Sequence, residues 1–209
     1  MRAATVECSE VRLEDPSKIY LVRHGETDWS LSGQHTSSTD IALTQRGEDQ
    51  GRNLGRRLAG IEFAHVLCSP RRRALRTCEL AGLVSKRRIV PELSEWGYGA
   101  YEGLRTAEIR KARPDWELWR DGCPDGETPA QVADRADRVI EQVSTLRGNI
   151  ALFSHGHFGC ALGARWIELD IANGRRFMLD PASISILGAA PRHPETHVVC
   201  SWNVAAEGP

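Results

Sequence analysis

Arg23-His24-Gly25-Glu26-Thr27 follows directly on the apolar run Ile19-Tyr20-Leu21-Val22, and Ser154-His155-Gly156-His157 follows Ile150-Ala151-Leu152-Phe153. A histidine offers a nitrogen that can attack or donate near neutral pH, and the glycine after it leaves backbone N–H groups open to an anion. Each pair stands at the C-terminal end of a strand-like run, the edge where open α/β sheets bind ligands. With Arg23 beside the first histidine, the expected anion is a phosphate and the expected chemistry is phosphoryl transfer. A second basic run, Arg71-Arg72-Arg73-Ala74-Leu75-Arg76, sits in a chain whose net charge is only -1. That balance argues against a general nucleic-acid binder, so the cluster is local and suits a small anionic ligand.

The elements that must position these residues alternate between strand-like and helix-like patterns, which implies an α/β layered fold. Strands are expected at 18–24, 64–69, 150–155, 183–189 and 197–203. A helix is expected at 44–58, with Thr44 as N-cap and Gly60 as its stop. Another is expected at 71–81, opened by Ser69-Pro70 and closed by Gly82. Thr128-Pro129-Ala130-Gln131 reads as a capping box, starting a helix with the apolar stripe Val132, Ala136, Val139, Ile140, Val143 and Leu146. A further helix is expected at 157–169. The stretch 92–127, with Trp96, Trp116 and Trp119, reads as a small cap over the sheet edge.

At 209 residues, 41% hydrophobic and 26% charged, the chain suits one well-buried core, expected over 18–204, rather than two full domains. Residues 1–17, with Glu7, Glu10, Glu14 and Asp15 and no apolar run, are expected to form a flexible tail without a secretory signal. No run reaches the ~18 apolar residues of a membrane span. The six cysteines show no regular spacing, so reduced thiols and a cytoplasmic location are expected.

The motifs resemble the histidine phosphatase superfamily, also called the phosphoglycerate-mutase-like fold, over roughly 19–202. Four stretches in order carry the likeness: Arg23-His24-Gly25-Glu26-Thr27; Ser69-Pro70-Arg71-Arg72-Arg73-Ala74; Leu93-Ser94-Glu95 with Gly99-Ala100-Tyr101-Glu102-Gly103; and Ser154-His155-Gly156-His157. Within the superfamily, Glu95-Trp96-Gly97-Tyr98, Trp119-Arg120-Asp121-Gly122-Cys123, Gly126-Glu127-Thr128 and Gly33-Gln34-His35-Thr36 resemble the branch of sedoheptulose-1,7-bisphosphatases and bacterial acid phosphatases. The resemblance implies a three-layer α/β/α sandwich with a mostly parallel central sheet and a small cap. It implies that His24 is the nucleophile and that Arg23 and Arg73 bind the phosphoryl oxygens, Arg73 being the arginine that precedes Ala74. His155 and the N–H of Gly156 are then further donors, and Glu95 is the general acid. For that role Glu95 must hold a proton near the working pH, an effect expected of burial beside Trp96 and of the anionic phosphate. Glu26 is expected to hold the Arg-His loop, and Glu102 to lie in a packing turn. Ser30, Gln34, Thr36, Tyr98, Arg120 and Glu127, with Gly156, are the implied substrate contacts, Glu127 either bonding hydroxyls or orienting the cap.

Other chemistries fit less well. A cysteine phosphatase needs an arginine six positions after its thiolate, and Cys68 has Ala74 there. A metal site built on His155 and His157 lacks further ligands at tight spacing, so no metal or cofactor is expected. The family's mutases carry Asn at the position of Ser30 and Arg at that of Trp96, and a longer middle insertion with an Arg-Arg pair. With fewer cations for a second phosphate and a carboxylate, this chain should release its phosphoryl group to water. Hydrolysis of small phosphate monoesters, such as sugar phosphates, is therefore expected, with phosphoglycerate mutase and an inactive phosphate- or partner-binding module as alternatives. The expected partner is a small phosphorylated molecule, not nucleic acid or a membrane, with a homodimer allowed.

Overall fold

In the computed structural model, residues 17–205 are described. The expected tail therefore lies, except for Ser17, outside the described residues. Strand β1 (Ile19–Arg23) is apolar on both faces because both are covered: Ile19 and Leu21 enter one core cluster, Tyr20 and Val22 the other. The six-stranded sheet holds β3 (Arg87–Ile89), β2 (Phe63–Cys68), β4 (Asn149–Ser154) and β1 side by side and parallel. Strands β5 (Ile184–Ala190) and β6 (His193–Val204) continue it antiparallel beyond β1.

Helices α2 (Gln45–Leu58) and α3 (Arg72–Leu80) cover the Tyr20 and Val22 face through Leu54, Leu58, Ala74 and Cys78. The opposite face takes α6 (Pro129–Ser144), through Val132, Ala136, Val139 and Val143, and α7 (Gly156–Trp166), through Phe158, Ala161 and Leu162. The result is a three-layer α/β/α sandwich. Short helices α1 (Asp28–Ser32), α4 (Thr106–Ala112) and α5 (Leu118–Asp121) lie in the connections. Trp96, Trp116 and Trp119 of the stretch 92–127 are buried in the cluster that holds Ile19 and Leu21. Among the described residues, no helix is long and apolar enough to cross a membrane.

Several local signals act as their chemistry implies. The Thr44 hydroxyl accepts from Gly47 N at 3.0 Å and starts α2, and Thr128 and Gln131 form a reciprocal capping box at α6. Two readings need correction. Helix α3 begins at Arg72 rather than being opened by Ser69-Pro70, and its first free N–H is capped from a distance, by Asp40 Oδ1 on Arg72 N at 2.8 Å. Strand β3 was not expected at all: Arg87-Arg88-Ile89 carries no apolar alternation because it is a sheet edge, paired only with β2.

Parallel pairing in the register Arg23↔Ser154 brings the ends of β1 and β4 level, so His24 and His155 leave the sheet at one edge. His24 N donates to Ser154 O at 3.0 Å across that junction. The turn after β1 also needs two glycines. A Cβ on Gly25 would lie 2.4 Å from Gly47 O, and one on Gly47 would lie 2.2 Å from Glu26 O. Bare backbones at both positions let the start of α2 seat directly against the histidine turn.

Candidate active site

A cleft of about 310 Å³ opens at this sheet edge, with Arg23, His24, Glu95 and Gly156 among its lining residues. His24 is buried to 5% exposure, and its Nδ1 lies 2.7 Å from Gly25 O. A carbonyl can only accept, so Nδ1 carries the proton and Nε2 keeps its lone pair. Burial, with the charges of Arg73 and Arg23, pushes the His24 imidazole well below its ordinary value, against the bond that Nδ1–H donates to Gly25 O. The ring is thus a neutral imidazole with one committed and one free nitrogen.

His155 lies beside it, with ring centroids 5.2 Å apart, and is fully buried as the N-cap of α7. Its Nε2 is 2.7 Å from Ser69 Oγ, while Nδ1 has no partner among the described residues. Burial, then Arg73, His24 and Arg23, lower its proton affinity as well. A Ser69 hydroxyl donating to Nε2 leaves the proton on Nδ1, which makes that nitrogen a donor. Ser69, read from sequence as a helix cap, therefore orients the second histidine.

Arg23 Nη1 donates to Leu179 O, and its guanidinium carbon would lie 3.3 Å from a Cβ on Gly156, so the two flank one wall. Arg73 is fully buried and does not line the cleft, although its charge acts on both histidines. It is held by the carbonyls of Thr36 at 2.9 Å, Ser37 at 3.3 Å and Thr39 at 3.2 Å. Glu102 shapes that loop, accepting from Ser37 N at 2.8 Å and Thr39 N at 2.9 Å. Glu26 holds the histidine turn from the other side, its Oε1 accepting from Thr44 Oγ1 at 2.8 Å. Arg23 Nε and Arg73 Nε, like His155 Nδ1, are buried N–H donors without a partner among the described residues. Arg23 and Arg73 act by charge on His24 and the His155 ring lies beside it, and such unpaired donors are what phosphoryl oxygens would satisfy.

Glu95 is buried to 7% exposure, but its surroundings are not simply apolar. Oε1 accepts from Trp96 N at 2.9 Å and Phe158 N at 2.7 Å, and Oε2 from His157 N at 3.0 Å. Two of these donors are orphan N–H groups at the start of α7, where the helix dipole favours a negative charge. Oε1 has both lone pairs occupied, so Oε2 is the oxygen with room for a proton.

Arg135 was not singled out from sequence, yet it organises this loop. Its guanidinium forks onto Glu127, Nε to Oε1 at 2.8 Å and Nη2 to Oε2 at 2.7 Å. It also donates to the carbonyls of Glu92 at 2.7 Å, Ser94 at 2.6 Å and Glu95 at 3.3 Å, and it stacks 4.2 Å over Phe158. A signal existed: position 135 lies three after Val132 on the apolar stripe of α6, where a charge has to be paired.

Of the implied substrate contacts, Ser30, Gln34, Thr36, Tyr98 and Gly156 line the cleft. Two do not. Arg120 is 61% exposed and forks onto Asp121 at 2.8 Å, because α5 turns Trp119 inward and its neighbour out. Glu127 is consumed by Arg135 and by Gly97 N at 2.6 Å, so it orients the loop and does not reach the cleft. Conversely, His35 and Thr106 line the cleft without having been assigned roles there, and His157 lines it as well. Among the described residues, no group of three or more His, Cys, Asp or Glu side chains could hold a metal ion.

Comparison with known proteins agrees with this geometry. The sequence model of the histidine phosphatase superfamily (branch 1) matches residues 19–201. An acid phosphatase of Mycobacterium tuberculosis is 45% identical over 177 residues, covering 82% of this chain and 86% of that protein. The sedoheptulose 1,7-bisphosphatase of Saccharomyces cerevisiae is 37% identical over 183 residues, covering 72% and 68% respectively. Among solved structures, the product of a Mycobacterium tuberculosis open reading frame superposes with a TM-score of 0.85 at 40% identity, over 91% of this chain and 99% of that one.

Proposed function

The chain belongs to the histidine phosphatase superfamily and is a phosphoric monoester hydrolase, and from that premise we propose that it hydrolyses small phosphate monoesters, sugar phosphates among them, through a phosphoryl group carried on His24. One observation carries the nucleophile: the 2.7 Å contact of Nδ1 with Gly25 O, which leaves Nε2 unprotonated. Nε2 attacks phosphorus, the bond to the ester oxygen breaks, and that oxygen takes the proton from Glu95 Oε2. Glu95, now a carboxylate, then accepts a proton from water as the water oxygen attacks phosphorus. The P–N bond breaks, its electron pair returns to Nε2, and phosphate leaves.

Charge building on the phosphoryl oxygens is met by Arg23, Arg73, His155 Nδ1–H and the N–H of Gly156. These groups support a mechanism that needs no metal ion. The same reading takes a small phosphorylated molecule as partner and the cytoplasm as location. The test is a rapid acid-free quench with labelled substrate. It should trap an alkali-stable, acid-labile phosphoenzyme in the native protein and none in His24→Ala, with turnover unchanged by chelators. Turnover without a trapped phosphoenzyme, or turnover abolished by chelators, refutes the scheme.

A further inference from the structure

The cleft has two chemically different ends. At the His24 end stand Arg23 and, buried nearby, Arg73. Among the described residues, every other lining side chain that could be a cation is an imidazole, and each of these imidazoles has its proton affinity lowered by burial. Burial, with His157 close by, holds His35 down at about 4, and burial lowers His157 as well. Nearby arginines are committed elsewhere: Arg105 forks onto Glu108, and Arg113 donates to Tyr101. Arg175 and Arg176 are exposed on the turn before Phe177 and do not line the cleft.

The same wall is well supplied with neutral hydrogen-bonding groups. Tyr98 Oη lies 2.6 Å from His157 Nδ1, which leaves the other imidazole nitrogen, Nε2, for a ligand. Burial holds the Tyr98 phenol well above its usual value, so it stays uncharged. Thr106 Oγ1 lies 3.4 Å from His35 Nε2, and both residues line the cleft. Trp29 and Phe177 add flat apolar faces.

Building on the phosphatase reading, we propose that this half of the cleft selects an uncharged, hydroxyl-bearing leaving group. The substrates are then monophosphate esters of neutral polyols, and esters carrying a second phosphate or a carboxylate are disfavoured. A second anion would lose hydration without gaining a counter-charge, whereas hydroxyls find partners on His157, Thr106 and His35. The specificity so inferred separates this chain from its relative named for a bisphosphate substrate.

Two matched pairs test it on the full-length protein at pH 7: glycerol 3-phosphate against 3-phosphoglycerate, and fructose 6-phosphate against fructose 1,6-bisphosphate. The member of each pair whose leaving group is uncharged should have the higher kcat/KM by at least tenfold. Thr106→Arg, which places a cation on the wall, should narrow both ratios by tenfold or more. Hydrolysis of the members carrying a second anionic group as fast as, or faster than, their partners overturns the inference and leaves the phosphatase reading standing. Ratios that a folded Thr106→Arg protein leaves unmoved overturn it too. Failure to hydrolyse any of the four, with no phosphoryl group on His24, refutes the phosphatase reading itself.

Discussion

Arg135→Met tests whether the loop carrying Glu95 is held by one buried guanidinium. The native side chain makes a two-pronged ion pair with Glu127 and reaches three carbonyls between residues 92 and 95. Methionine keeps an unbranched apolar side chain but loses the guanidinium over Phe158 and strands the carboxylate and those carbonyls. Breaking a buried pair costs about 3–5 kcal/mol. Glu127 retains Gly97 N and is 26% exposed, which favours the lower end, about 3 kcal/mol. For a chain of this size that corresponds to a Tm lower by roughly 6–12 °C. The catalytic effect should be selective. A displacement of Glu95 by about 1 Å costs on the order of 100-fold where its proton is needed. Glycerol 3-phosphate, with its poor leaving group, should therefore lose on the order of 100-fold in kcat. p-Nitrophenyl phosphate, whose leaving group departs without a proton, should lose far less. Glu95→Gln should show the same asymmetry, and Arg135→Lys should not restore the native ratio, since an ammonium cannot make the fork. Equal loss on both substrates, measured below the variant's Tm, would show that Arg135 is merely structural.

Stability should fall as pH drops from about 6.5 to 5.5. His24, His155 and His35 all have folded-state proton affinities below that of a free imidazole. Above about 6.5 both folded and unfolded chains are neutral at these positions; below it the unfolded chain takes up protons that the folded one refuses. His35, held at about 4, then removes about 1.4 kcal/mol by pH 5.5, His24 and His155 act in the same direction, and a urea stability profile that is flat or rises over that interval contradicts the assignment. Gly47→Ala reverses the usual helix preference for alanine, because its Cβ would lie 2.2 Å from Glu26 O. A cost of about 1–3 kcal/mol is expected from such overpacking, together with reduced kcat/KM as the histidine turn shifts; an unchanged Tm would argue against this contact.

The sequence by itself determined what depends on neighbours along the chain. Apolar runs closing on His-Gly, the Thr44 cap and the Thr128 capping box act through a few adjacent residues, so their types and spacing suffice. Ser69 was legible only as a helix start, because its partner His155 is 86 residues away. Arg87-Arg88-Ile89 gave no strand signal, since an edge strand needs no second apolar face. Arg120 and Glu127 looked like substrate contacts until α5 and Arg135 directed them elsewhere. Only the tertiary structure decided which donors were left unpaired around His24, because satisfaction of a buried polar group depends on every element that reaches it. The residue types named the chemistry; the packing decided which of them are free to perform it.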